Sequence, residues 1–169
     1  MTLARPVLHL PHPVLSRPAA ALEDIDRKAV DLAHALLDTM RSSGHSVGVA
    51  APQIGVSLRA FCLDVTGHRR ARSCHGELVL FNPVIIEHSG SEIGREGCMS
   101  VPDLTGDVAR ATAMVVEGLG LDGEQRRLEV DAFEARAMQH EIDHLDGLLF
   151  VDRVVAPGRV FPRRVYRAE

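Results

Sequence analysis

The sequence predicts an α+β fold: short, mostly antiparallel strands wrapped around a central helix in the C-terminal half, with another helix near the N-terminus. Three observations predict it. Residues 132–145 contain no Gly or Pro, and Phe133, Ala137, Met138, Ile142 and Leu145 recur there at helical spacing. Leu22, Ile25, Ala29, Leu32, Ala33, Leu36, Leu37 and Met40 form a second helical stripe, ending at a breaker over 42–44. Between the two stripes lie short apolar runs of strand character at 59–65, 78–81, 84–86, 114–119 and 127–130.

In chain order, residues 1–20 form an extended lead-in punctuated by Pro6, Pro11, Pro13 and Pro18. No long apolar block accompanies those prolines, so the segment does not have the pattern of a secretory signal. The polar, basic segment 68–75 separates two strands and reads as a loop or hairpin tip. Pro83 interrupts the apolar run that begins at Leu78. Asp122-Gly123, flanked by strand-like runs, is a strong hairpin signal. Asp131 is placed to cap the final helix, with Glu134 three residues on to complete a capping box, and Gly147 supplies the stop. A helix this apolar that also carries two histidines is expected to be buried.

Composition narrows the class. A chain of 169 residues, 46% hydrophobic and 25% charged, is long enough for one domain with a real core. We read residues 1–169 as that single domain, with the tail from about 152 peripheral. A net charge of -4 argues against a protein that coats nucleic acid, and no specific nucleic-acid partner is expected. No apolar run is long enough to span a membrane. Cys62, Cys74 and Cys98 cannot complete a disulfide framework, which points to the reducing cytoplasm.

The chemistry centres on His140-Glu141-Ile142-Asp143-His144. Residues four apart share a helix face, so both imidazoles can hold one metal ion. Glu141 lies between them and can act as general base on a bound water. Asp143, two positions further round the helix, should point away. An amphipathic helix with paired surface histidines would give the same letters. A catalytic site needs a third protein ligand and an open position for water. Downstream, Phe150 stands where the long metzincin pattern requires His. The remaining acids Asp146, Asp152 and Glu169 lie in a short tail broken by Pro157 and Pro162. The third ligand must therefore come from upstream.

Two upstream loops offer themselves. In Glu96-Gly97-Cys98-Met99-Ser100, Gly97 frees the backbone beside Cys98, whose thiolate is a suitable soft ligand. A lone Cys is more often a small buried hydrophobe, but the missing downstream ligand favours coordination here. In the segment 46–55, small residues allow close backbone approach, and Gln53 can aim an amide N–H at developing negative charge. A tight connection between helix and strand would explain the same residues.

Taken together, the three segments resemble the peptide deformylase family. That family carries Gly-x-Gly-x-Ala-Ala-x-Gln, Glu-Gly-Cys-Leu-Ser and His-Glu-x-x-His in this order. Here they read Ser46-Val47-Gly48-Val49-Ala50-Ala51-Pro52-Gln53, Glu96-Gly97-Cys98-Met99-Ser100 and His140-Glu141-Ile142-Asp143-His144. The resemblance runs from Leu10-Pro11-His12-Pro13 to about Phe150.

It implies a metal-dependent hydrolase that removes the N-formyl group from N-formylmethionyl peptides of newly made proteins, releasing formate. Cys98, His140 and His144 are the implied metal ligands and Glu141 the acid/base. Gln53 and the backbone N–H of Met99 are the implied oxyanion donors, and Val47, Gly48 and Gly97 the substrate-binding residues. The ion implied is Fe2+, with Zn2+, Ni2+ and Co2+ as substitutes; Cys and His donors suit iron and zinc alike. Three departures stand out: Ser46 for Gly, Met99 for Leu, and Pro102-Asp103-Leu104-Thr105-Gly106 where many members carry an Arg. Arg110 follows that stretch, and whether it takes over from the missing Arg is left open by the sequence.

Two other readings use the same helix. A metallopeptidase lacks its downstream ligand, and an inactive metal-binding homologue is hard to reconcile with an intact set of Gln53, Cys98, Glu141 and both histidines. His9, His12, His34, His45, His68, His75 and His88 belong to no ligand motif. Arg159, Arg163, Arg164 and Arg167 make the tail basic, as a transient ribosome contact would require; a solvated tail is the plainer explanation. Pro157, Gly158 and Pro162 exclude a long C-terminal helix.

Overall fold

The computed structural model describes residues 1–164. It is α+β, with two helices and two antiparallel sheets. Helix α1 spans Arg27–Ser42 and helix α2 spans Ala132–Leu145. The larger sheet has strands in the order β1 (Gly48–Ala50), β2 (Ala60–Leu63), β3 (Leu78–Ser89), β6 (Ala113–Leu119) and β7 (Gln125–Asp131). The smaller sheet has the order β4 (Glu92–Cys98), β5 (Val101–Arg110) and β8 (Val160–Pro162).

Helix α1 starts later than its apolar stripe. Asp26 caps it, its carboxylate accepting from the Ala29 N–H at 3.0 Å. Leu22 and Ile25 reach the same core from extended chain, where Ala33, Leu36, Val49, Ala51 and Phe81 are buried. The chain before the helix is pinned to β3 by Asn82, whose side-chain amide bonds both the N–H and the C=O of Leu22. Asn82 has φ 50°, and the register shifts between Phe81 and Val84. Pro83 therefore sits in a bulge and the strand continues to Ser89, rather than breaking into two as the proline suggests.

Helix α2 packs one face on the larger sheet, with Ala135, Met138, Ile142 and Leu145 against Phe61, Leu80, Val116 and Val130. Its start differs from the expected capping box. Asp131 makes no capping bond; its carboxylate accepts from the Ser73 N–H at 2.8 Å. Glu134 is fully buried and accepts from Ser73 Oγ (2.8 Å) and the His75 N–H (2.7 Å), with His75 Nδ1 also at 2.7 Å. The loop before β3 has captured both carboxylates. At the other end, Arg59 Nη1 donates to the Leu145 carbonyl at 3.0 Å. Gly147 ends the helix at φ 76°, where a Cβ would lie 2.8 Å from the backbone of Arg17.

The smaller sheet is where the sequence was least legible. Residues 96–100, read as a loop, are the end of β4 and the turn into β5, and the pairing slips between Gly97 and Cys98. The tail is not peripheral either: β8 pairs with β5 at Leu104–Pro162, Thr105–Phe161 and Gly106–Val160. Phe150 is buried against Cys98, Val101 and Val108. Of the basic tail residues, Arg159 is tied to Asp107 and Arg163 reaches a cavity between the sheets, while Arg167 lies outside the described residues.

Candidate active site

Three elements bring the expected residues together. Helix α2 places His140, Glu141 and His144 on one face; the end of β4 brings Cys98; β1 and the short turn Ala51–Ile54 bring Gly48 and Gln53. One ligand atom each from Cys98, His140 and His144 lie within 4.8 Å of one another. Cys98, His140 and Glu141 border a cavity of about 300 Å³ whose walls include Val47, Gly48, Gly97, Met99, Phe133 and Ala137.

Of the three ligand side chains, His140 and Cys98 are held by hydrogen bonds, and His144 Nδ1 is buried without a partner among the described residues. His140 Nδ1 lies 2.9 Å from Glu96 Oε1, so a hydrogen there donates to the carboxylate and leaves Nε2 as the free donor atom. Glu96 is itself locked: Arg110 donates through Nε (2.8 Å) and Nη2 (2.9 Å), and Arg136 through Nη1 (2.8 Å). Burial pushes the Glu96 carboxyl up, but the bonds from Arg110 and His140 outweigh it and hold the group well below the usual carboxylate range. Arg110 also donates to Asp143 Oδ2 at 2.6 Å, and Arg153 Nη2 donates to Asp143 Oδ1 at 2.9 Å. Asp143 thus faces away from the cluster, as its helix position required. Arg110 is not a substrate-backbone residue: it is buried, and both partners are carboxylates behind the site.

Cys98 Sγ accepts from the Ser100 N–H and from Gln53 Nε2, each at 3.4 Å, and lies 3.4 Å from His144 Nε2. Burial opposes ionisation of this thiol, yet His144 and His140 beside it hold its pKa well below the ordinary value. Gln53 is fixed at both ends of its amide: Oε1 accepts from the Ala50 N–H (3.0 Å) and Nε2 donates to Ser100 Oγ (3.1 Å). Glu141 is pushed up to about 6, chiefly by burial, against the pull of His140 and His144. A Cβ on Gly48 would lie 2.7 Å from Glu141 Oε1, so only glycine lets β1 pass this close.

The donor set fits a divalent transition ion. A thiolate and two imidazoles converge from separate elements with a carboxylate beside them. Glu141 Oε2 is buried without a hydrogen-bond partner among the described residues, as a group awaiting a water would be.

The sequence profile of the polypeptide deformylase family matches residues 4–160. The chain belongs to that family. The peptide deformylase of Halothermothrix orenii is 44% identical over 146 residues, covering 86% of this chain and 90% of its own. That of Carboxydothermus hydrogenoformans is 42% identical over 156 residues, 90% of this chain and 97% of its own. Among solved structures, the Legionella pneumophila peptide deformylase superposes with a TM-score of 0.82 at 36% identity, covering 91% and 87% of the two chains. The Acinetobacter baumannii enzyme bound to Met-Ala-Ser gives 0.81 at 34% identity, covering 91% and 100%. The function of the family, metal-dependent hydrolysis of the formyl amide of N-formylmethionyl peptides, is the function of this chain.

Sequence reasoning missed four residues that build this deformylase site. Glu96 and Ser100 stood inside the quoted cysteine segment: Glu96, two positions before Cys98, shares its face of β4, and Ser100 lies in the turn that follows. Reading the segment as a loop hid that signal. Arg136, one helical turn before His140, was a visible partner for a buried acid. Arg110 was noticed with its role left open, and its bonds to Glu96 and Asp143 now give it one. Of the histidines outside the motif, His45 lines the cavity and His68 stacks on Phe133 with ring centroids 3.6 Å apart; His9, His34 and His88 are exposed.

Proposed function

We propose that deformylation runs on the cluster in the last two turns of α2, the helix around which the strands gather, with the following division of labour. Cys98 Sγ and an imidazole nitrogen from each of His140 and His144 hold one divalent ion. When bound, that ion is a Lewis acid that can bring the pKa of a coordinated water towards about 7. Glu141 takes the water proton and delivers it to the leaving amine nitrogen, acting as base and then as acid. Gln53 Nε2 and the Met99 N–H donate to the formyl oxygen as it gains charge. Val47, Gly48 and Gly97 offer backbone groups to the peptide main chain, and Phe133 and Ala137 give the methionine side chain an apolar wall.

The observation that carries this reading is the convergence of three ligand atoms beside a buried Glu141 oxygen that has no other described partner. Fe2+ is the ion we assign, on the family's habit and the mixed Cys/His donor set; zinc, nickel and cobalt suit the same donors. The cytoplasm is the proposed compartment, supported by three free cysteines and by the emergence of nascent chains there. Among the described residues, no helix is long and apolar enough to cross a membrane. We keep residues 1–169 as one catalytic domain. A transient ribosome contact would rest on the basic tail; R164E together with R167E leaves β8 intact and should reduce salt-sensitive ribosome binding, and unchanged binding would overturn the contact.

The test is anaerobic purification, metal analysis and an assay of formate release from formyl-Met-Ala-Ser. The expected result is one equivalent of metal, activity abolished by chelation, and no cleavage of internal peptide bonds. Glu141→Ala should stay metal-loaded and lose activity, whereas His144→Ala should lose both. A fully active Glu141→Ala protein would overturn the acid/base assignment.

A further inference from the structure

Three guanidinium groups line the cavity: Arg95, Arg136 and Arg163. Two are already engaged. Arg136 is bonded to Glu96 and to the carbonyls of Val108 and Glu92. Arg95 donates to Asp107 at 2.7 Å and lies 4.0 Å over the Phe161 ring. Arg163 alone of the three has no carboxylate partner among the described residues.

Its position is fixed by the smaller sheet. Strand β8 ends at Pro162, and the Arg163 N–H then donates to the Asp103 carbonyl at 2.9 Å, extending the tie to β5 by one residue. The guanidinium lies flush on Gly97, where a Cβ would collide with Arg163 Nη2. Gly97 directly precedes the ligand Cys98, so this charge sits one residue from the metal cluster, at the exposed rim of the cavity. A peptide whose formyl end reaches the cluster must leave across that rim. An extended chain advances about 3.3 Å per residue, which brings its second and third residues past this rim.

We propose that Arg163 is a substrate-positioning residue that recognises a carboxylate, side-chain or terminal, on the residues just downstream of the formylated methionine. The proposal rests on the deformylase reading above and adds a preference that reading does not contain. An ion pair at a part-exposed rim changes affinity modestly, and it acts on substrate binding before the chemical step, so the effect belongs in KM.

The test compares formyl-Met-Ala-Ser with its C-terminal amide, on wild-type enzyme and on the R163Q and R163E variants, with metal content and melting temperature recorded for each. Wild-type enzyme should favour the free acid by about fivefold in kcat/KM, carried by KM, as expected for one exposed ion pair. The ratio should fall towards one as salt rises from about 0.05 M to about 0.5 M. R163Q should bring the ratio close to one at low salt, and R163E should invert it. Should either variant fail to fold, the salt dependence of the wild-type ratio still decides the matter. An unchanged ratio in folded, metal-loaded R163Q, or a salt-independent ratio in the wild type, overturns the proposal while leaving the activity intact. Failure of wild-type enzyme to release formate from both peptides would overturn the activity itself, and this proposal with it.

Discussion

Glu96 is the side chain on which the geometry of the site depends most. It accepts from Arg110, Arg136 and His140, and all four groups are largely buried. Removing one partner from such a network leaves buried charge uncompensated, which costs about 3–5 kcal/mol. Glu96→Ala should therefore lower stability by that order in denaturant melts. It should also weaken metal affinity by about 10- to 100-fold, since the hydrogen bond that orients His140 is gone. Retention of wild-type metal affinity would show that His140 needs no such support. Gln53 offers a contrasting case. Its carbonyl end is tied to the Ala50 N–H, so the amide orientation is set before substrate arrives. Loss of one preorganised oxyanion donor typically lowers kcat by about 10²–10³. Gln53→Ala should show that loss with its metal content unchanged. These residues differ in legibility for a physical reason. Gln53, Cys98, Glu141 and the histidines carry reactive or ligating atoms, and their types announce themselves in a sequence. Glu96 and Arg110 act through the side chains they hold, and two ionic side chains 14 positions apart look like ordinary surface until the pairing of β4 with β5 is known.

At the scale of elements, helix α2 is positioned by a loop as much as by the sheet. Ser73 and His75, in the segment preceding β3, hold Glu134 and Asp131 at the first turn of the helix. His68 of the same loop stacks on Phe133, which lines the cavity. Glu134→Ala would release three contacts to a buried carboxylate. Hydrogen bonds to charged groups contribute about 1.5–3 kcal/mol each at most, so a loss of that order is expected in chemical denaturation. Amide exchange should accelerate at 73–75 before it does in the sheet. If exchange there is unaltered, the loop is held by something other than Glu134. The helices were legible because their stripes are long and uninterrupted. Strands β4 and β5 were not, because Gly94, Gly97 and Gly106 stand where apolar alternation would have marked them. Arg136, Arg163 and Val154 fill the space above those glycines, so the feature that hides the strands is the one that lets the long side chains in. The capping box failed for a related reason: a local pattern competes with distant donors, and here Ser73 and His75 won.

For the whole molecule, Asp107 joins parts of the chain that are far apart in sequence. It sits on β5 and receives Arg95 from β4 and Arg159 from the segment that leads into β8. Its backbone carbonyl also accepts from the Val155 N–H at 3.0 Å. The hydrogen bond from Arg95, followed by the charge of Arg159, holds its carboxyl below the ordinary value for Asp, with burial opposing. A carboxylate depressed by folding stabilises the native state fully above its unfolded pKa and progressively less as pH falls through its folded pKa. The contribution should thus be constant from pH 8 down to about 5 and fade below about 4. Acid will also strip metal from the cluster, so the quantity to measure is a difference. Asp107→Asn keeps the shape and an acceptor oxygen but removes the charge. Wild-type protein should be more stable than this variant at pH 7, and the gap in denaturation midpoint should close towards pH 3. The same variant loosens the segment that carries Arg163, so the acid-over-amide preference should shrink at neutral pH while metal content stays whole. A gap in midpoint that persists undiminished at pH 3 would mean that Asp107 acts through packing and not through its charge.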